Sequence, residues 1–140
     1  MAVKKIEALA DGIAFLNKMH DPSSDAYQLR NPALARAYSF RHLGEVDNSG
    51  RRIFTSLIGG YRFLIQDLEW KCSGQTRAKG YNGKLSPLSG LNDLLKSYNL
   101  DSIEDGNIFI LLDFLNKALP GAEIGAQTQL SFFLEDAKNV

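Results

Sequence analysis

Nine residues between Arg51 and Lys84 are of the types that grip a nucleic-acid strand: the cations Arg51, Arg52, Arg62, Arg77, Lys79 and Lys84, interleaved with the rings of Phe63, Trp70 and Tyr81. Guanidinium and ammonium groups neutralise phosphates, and aromatic faces stack on unpaired bases. Arg52, Thr55, Gly59, Arg62, Gln66 and Glu69 recur every three or four residues, with Phe63 and Trp70 seven apart on their flank. A helix lays such a set along one side. The stretch SGQTRAKGYNGK, residues 73–84, follows at once and reads as a flexible basic arm that adds charge to that helical platform. The set is therefore expected to bind single-stranded or structured nucleic acid. The competing reading packs Phe63 and Trp70 against a neighbouring helix and leaves the arm as a solvated connector.

Catalytic patterns fail one at a time. A phosphate-binding loop needs GxxxxGK followed by Ser or Thr, but Ala78 stands where the first glycine belongs and Leu85 where the hydroxyl belongs. A calcium loop begun at Asp101 puts Ile103 and Leu112 where oxygen ligands are required. His20 and His42 are the two imidazoles, each placed at the end of an expected helix, where a cation complements the dipole. With Cys72 as the sole cysteine there is neither a disulfide nor a cysteine-based zinc site, and Cys72 is expected to be packed or incidental. Glu104 with Asp105 reads as helix capping, Glu135 with Asp136 as a solvated face, and LNDLL, Leu91 to Leu95, as core. The expectation is a non-enzymatic protein without cofactor, metal or catalytic residues.

Composition agrees with a globular chain: 140 residues, 44% hydrophobic, 23% charged and formally neutral. The neutrality conceals an asymmetry. Residues 30–84 hold ten basic side chains against four acidic, a net of +6; residues 85–140 hold three against eight, a net of −5. A basic middle and an acidic tail suit self-association, with a strand running along the basic face. The second functional class is an adaptor or inhibitor that binds one protein partner through exposed aromatics and the acidic tail. No apolar run approaches the ~20 residues of a membrane span, so no membrane partner is expected and the cytoplasm is the expected location.

The elements that must position these residues read as helices. Ile6, Leu9, Ile13 and Leu16 predict one over 3–19, ended by HDPSSD. Asp25 and Gln28 suit a capped short turn through Arg30, and Asn31 with Pro32 opens a helix that Gly44 stops. After the turn VDNSG, the spacing of Phe54, Leu57, Tyr61, Leu64 and Leu68 predicts a long helix from Arg51 to Cys72, with Gly59 and Gly60 admitting a close neighbour or a kink. Ser86 and Pro87 open the next, carrying Leu88, Leu91, Leu95 and Tyr98; Asp101 and Glu104 cap another, closed by Pro120 and Gly121; a last runs from about Ala126 to Ala137. No segment alternates as a strand does. The expected architecture is all-α, a single domain over 1–140 built as a compact bundle of five to seven helices, with a flexible basic loop at about 73–85. A small hairpin has two places to form, EVDNSGRRIF and residues 70–85.

Overall fold

Helix α1, Lys5–Leu16, buries far more than one stripe: Ile6, Leu9 and Ile13, but also Ala8, Ala10, Gly12 and Ala14. Small residues on the remaining faces let neighbours close in on several sides, as Gly12 shows, since a methyl there would lie 2.6 Å from Leu111 Cδ1. The computed structural model describes residues 4–35, 45–74, 85–100 and 106–135. Around α1 stand α2 (Asp25–Leu29), α3 (Leu57–Cys72), α4 (Leu91–Ser97), α5 (Asn107–Ala118) and a 3-10 helix, Leu130–Leu134. α1 packs against α3, α5 and the 3-10 helix, and α5 against α4. The core that results joins Leu9 and Ile13 to Leu64, Leu68, Leu94, Leu95, Leu111, Leu115 and Phe133. The fold is helical, and among the described residues there is no sheet.

Several expected boundaries move, each for a local reason. The long helix begins at Leu57, because Ser56 caps it, its Oγ accepting the Gly59 N–H at 3.0 Å. Arg51 to Phe54 are instead extended. Arg52 N–H donates to Ala35 C=O at 2.8 Å, Ile53 N–H to Glu45 C=O at 2.9 Å and Phe54 N–H to Leu29 C=O at 2.9 Å. VDNSG does turn, with Gly50 at φ +84° and an antiparallel bridge, Val46 to Arg52, closing over it. Of the two helix glycines, Gly60 is the close approach: a methyl there would sit 2.1 Å from the Arg30 carbonyl oxygen. The neighbour is thus a loop, not a helix.

Asn31 and Pro32 open no helix within the described residues. The buried Asn31 amide accepts the Ala35 N–H at 2.9 Å and donates to the carbonyls of Ala35 and Arg52, both at 3.0 Å, which holds 31–35 as a turn with Leu34 at φ +51°. The rest of that expected helix, 36–44, lies outside the described residues. Ser24 replaces Asp25 as the cap of α2, its Oγ accepting the Tyr27 N–H. Ser86 and Pro87 also make a turn, in which Ser86 Oγ accepts the Leu88 N–H, so α4 starts at Leu91 after Gly90. Leu91 N–H donates to Ala126 C=O and Leu130 N–H to Ser89 C=O. These backbone ties hold 126–129 out of helix and reduce the expected last helix to the 3-10 turn. The proposed cap at Asp101 and Glu104 lies outside the described residues; α5 begins after Gly106, at φ +64°.

Candidate functional site

α3 carries the described part of the expected surface, and its two sides differ sharply. Gly60, Leu64, Leu68, Lys71 and Cys72 are buried, whereas Ile58, Arg62, Gln66, Glu69 and Trp70 face water. Trp70 is 47% exposed in the last turn. Trp70 is therefore not enclosed, and about half of it meets water. This leaves an indole on the outer face, immediately ahead of Ser73 and the basic segment that follows.

The remaining expected residues separate. Arg52 and Phe63 do come together, the guanidinium carbon lying 4.4 Å from the ring centroid, and Phe54 packs against the same ring at 5.5 Å. A ring so occupied is a packing element rather than an open stacking platform. Arg51 turns away to carboxylates, 3.1 Å from Asp25 and 3.8 Å from Asp47. Arg62 is exposed, but it stands eight residues before Trp70, about 12 Å along the axis. Arg77, Lys79, Tyr81 and Lys84 lie outside the described residues. Among the described basic residues of 30–84, only Arg30 and Arg62 are exposed.

A second cluster on the same helix escaped the sequence reading. Asp67 Oδ2 accepts both the Lys71 ammonium at 2.9 Å and the Tyr98 hydroxyl at 2.5 Å, while Lys71 Nζ sits 3.6 Å from the centre of the Tyr98 ring. Lys71 is only 6% exposed. Burial pulls its ammonium below the ordinary value, against the opposing pull of Asp67. Burial, with the Asp67 charge, holds the Tyr98 hydroxyl well above its own ordinary value. The i,i+4 spacing of Asp67 and Lys71 was the available signal, and their inward direction was not readable from it. No substrate-sized molecule reaches an ammonium so enclosed. The cluster is a clasp between α3 and the C-cap of α4.

Other nucleophilic and metal-binding prospects resolve similarly. Cys72 is fully buried, and burial pushes its thiol up to about 12, so it is inert. His20 stacks on Phe15 with ring centres 4.8 Å apart, and His42 lies outside the described residues. Among the described residues no three His, Cys, Asp or Glu side chains gather as metal ligands. No described helix is long and apolar enough to cross a membrane. A groove of about 220 Å³ opens between Met19, Tyr27, Gln28, Arg30 and Leu57, beside the start of α3.

No protein-family model matches this chain, and neither the curated proteins nor the solved structures compared with it include a match.

Proposed function

We propose that this is a non-enzymatic, cytoplasmic helical protein that binds single-stranded or structured nucleic acid as part of a nucleoprotein or coat-like assembly. The observation that carries the reading is the exposed indole of Trp70 on the outer face of α3, within seven residues of Arg77. A flat ring at that point is the stacking half of the chemistry, and Arg77, Lys79 and Lys84, with the Tyr81 ring among them, supply the phosphate half. Arg51, Arg52 and Phe63, engaged as they are, contribute packing and not contact.

The test is binding of a labelled oligonucleotide over a salt series. Affinity should fall steeply with salt, and Arg77→Ala with Lys79→Ala should flatten the logarithmic slope by about one unit or more. Trp70→Ala should cost roughly 1 to 3 kcal/mol of binding with the slope little changed. No binding by the parent chain at about 50 mM salt discards the reading. The second reading, an adaptor or inhibitor for one protein partner, is favoured by the groove between Tyr27 and Leu57, and a stoichiometric protein co-purifying with the chain supports it.

A further inference from the structure

We propose that the chain associates head to tail with copies of itself, the outer face of α3 around Ile58 receiving the outer face of α5 around Phe109 of the next copy. Ile58 and Phe109 are 65% and 68% exposed, each in the first turn of its helix, and each has a half-exposed apolar neighbour, Leu57 and Ile110 respectively. Four residues after each comes a charge of opposite sign: Arg62 on α3 and Asp113 on α5. Four residues are about 6 Å along a helix, so two such helices laid parallel set Ile58 on Phe109 and Arg62 on Asp113 in one register.

Three further observations fix the occupant as a second copy. α1 packs on both α3 and α5, and α3 and α5 share no comparable contact with each other. In the parallel register the patches are complementary and not self-complementary: pairing either with its own kind in that register brings arginine to arginine or aspartate to aspartate. Formed once between any two copies, the proposed contact is heterologous, and it either closes a ring or extends a filament. The same polarity runs through the whole chain, +6 over residues 30–84 against −5 over 85–140. Asp113 lies 3.0 Å from Lys117 of its own helix, but both are mostly exposed, and exchanging such a pair for Arg62 loses little. Arg62 is thereby assigned to the contact between copies, and the assignment does not rest on nucleic acid.

Sedimentation of the parent chain, without nucleic acid, is the measurement. Its mass should rise with concentration and fall with salt. Ile58→Asp and Phe109→Asp should each sediment as monomers with unchanged circular dichroism, and their mixture should give a one-to-one dimer and nothing larger, because only one functional pair of faces remains. Arg62→Glu should weaken association roughly 10-fold or more, and adding Asp113→Arg should restore it. A parent chain still monomeric at about 1 mM, or a mixture that forms no dimer or grows beyond it, overturns the proposal.

Discussion

The turn ahead of α3 and the last turns of α3 handle charge in opposite ways. In the turn before the helix, Arg51 spans Asp25 and Asp47 close to water, and Asp47 also accepts the backbone N–H groups of Arg51 at 2.8 Å and Ser49 at 2.9 Å. Those hydrogen bonds, that of Arg51 foremost, hold the Asp47 carboxyl below its ordinary range. At the far end, Lys71, Asp67 and Tyr98 are withdrawn from solvent and satisfy one another. The first arrangement shapes a turn whose main bonds are to backbone. The second joins α3 to the end of α4 through side chains alone, so its energy is concentrated in three residues. A surface ion pair contributes little, while breaking a buried one strands a charge.

The largest expected effect breaks the buried end. Lys71→Ala leaves Asp67 enclosed with only the Tyr98 hydroxyl and should destabilise the protein by about 3 to 5 kcal/mol in urea denaturation. Lys71→Met together with Asp67→Leu removes both charges and keeps the volume, and should recover most of that loss. Tyr98→Phe should fall between, about 1.5 to 3 kcal/mol, because it removes one hydrogen bond to a carboxylate. A Lys71→Ala loss under about 1 kcal/mol means the ammonium finds water, and the contrast between turn and clasp disappears.

Next in size is the early part of α3, where two adjacent glycines should respond oppositely. Gly60→Ala drives a methyl to 2.1 Å from a backbone oxygen of Arg30, which has no flexible end to yield, and should cost about 1 to 3 kcal/mol or more. Gly59→Ala meets only Ser56 Oγ at 3.1 Å, and helix propensity favours alanine by roughly 1 kcal/mol, so it should be tolerated. Thermal unfolding of the two variants decides the matter. Equal melting temperatures contradict the close approach of the Arg30 loop.

A third expectation uses alkaline pH. In the fold the Cys72 thiol is pushed from 9.0 to about 12 and the Tyr98 hydroxyl is raised well above 10.0. The unfolded chain sheds both protons first and binds fewer, so stability falls as pH rises above about 9, by up to about 1.4 kcal/mol per pH unit for each proton. Lys71 opposes this. Its folded value lies below 10.5, the fold gives up its proton first, and stability gains between those two values. Cys72→Ala should therefore lower stability at neutral pH yet make the decline above about pH 9 shallower, as urea titrations at several pH values will show. An unchanged decline means the thiol is not sealed in the core.

What the sequence disclosed and what it withheld divide along physical lines. Stripes at helical spacing located α1, α3, α4 and α5, because Leu9, Ile13, Leu64, Leu68, Leu91, Leu95, Leu111 and Leu115 have no alternative to burial. Capping signals misled wherever a tertiary bond competed. Asn31 had the chemistry of an N-cap, but its amide is taken by Ala35 and by Arg52, 21 residues away. The same applies to the site. The period of α3 placed Trp70 and Arg62 outward correctly, but could not show that Arg51 would meet Asp25 from 26 residues away or that Arg52 would cover Phe63. Nor could it show Asp67 and Lys71 turning inward, since that depends on Tyr98 arriving from the end of α4.

The smallest expected effect sharpens the comparison from the surface side. Arg51 Nη1 reaches Asp25 at 3.1 Å, yet the Asp25 side chain is 69% exposed and the Asp47 contact, at 3.8 Å, is long. The turn's backbone bonds, Arg51 N–H to Asp47 Oδ1 and Asp47 N–H to Arg51 C=O, survive any side-chain change at position 51. Arg51→Ala should therefore lower the melting temperature by no more than about 3 °C. The small loss should vanish near 1 M salt, where the screening length is about 3 Å. Lys71→Ala should lose as much at 1 M salt as without it, because mobile ions do not enter the clasp. Equal salt dependence at the two positions contradicts the contrast between a screened turn ahead of α3 and a sealed clasp at its far end.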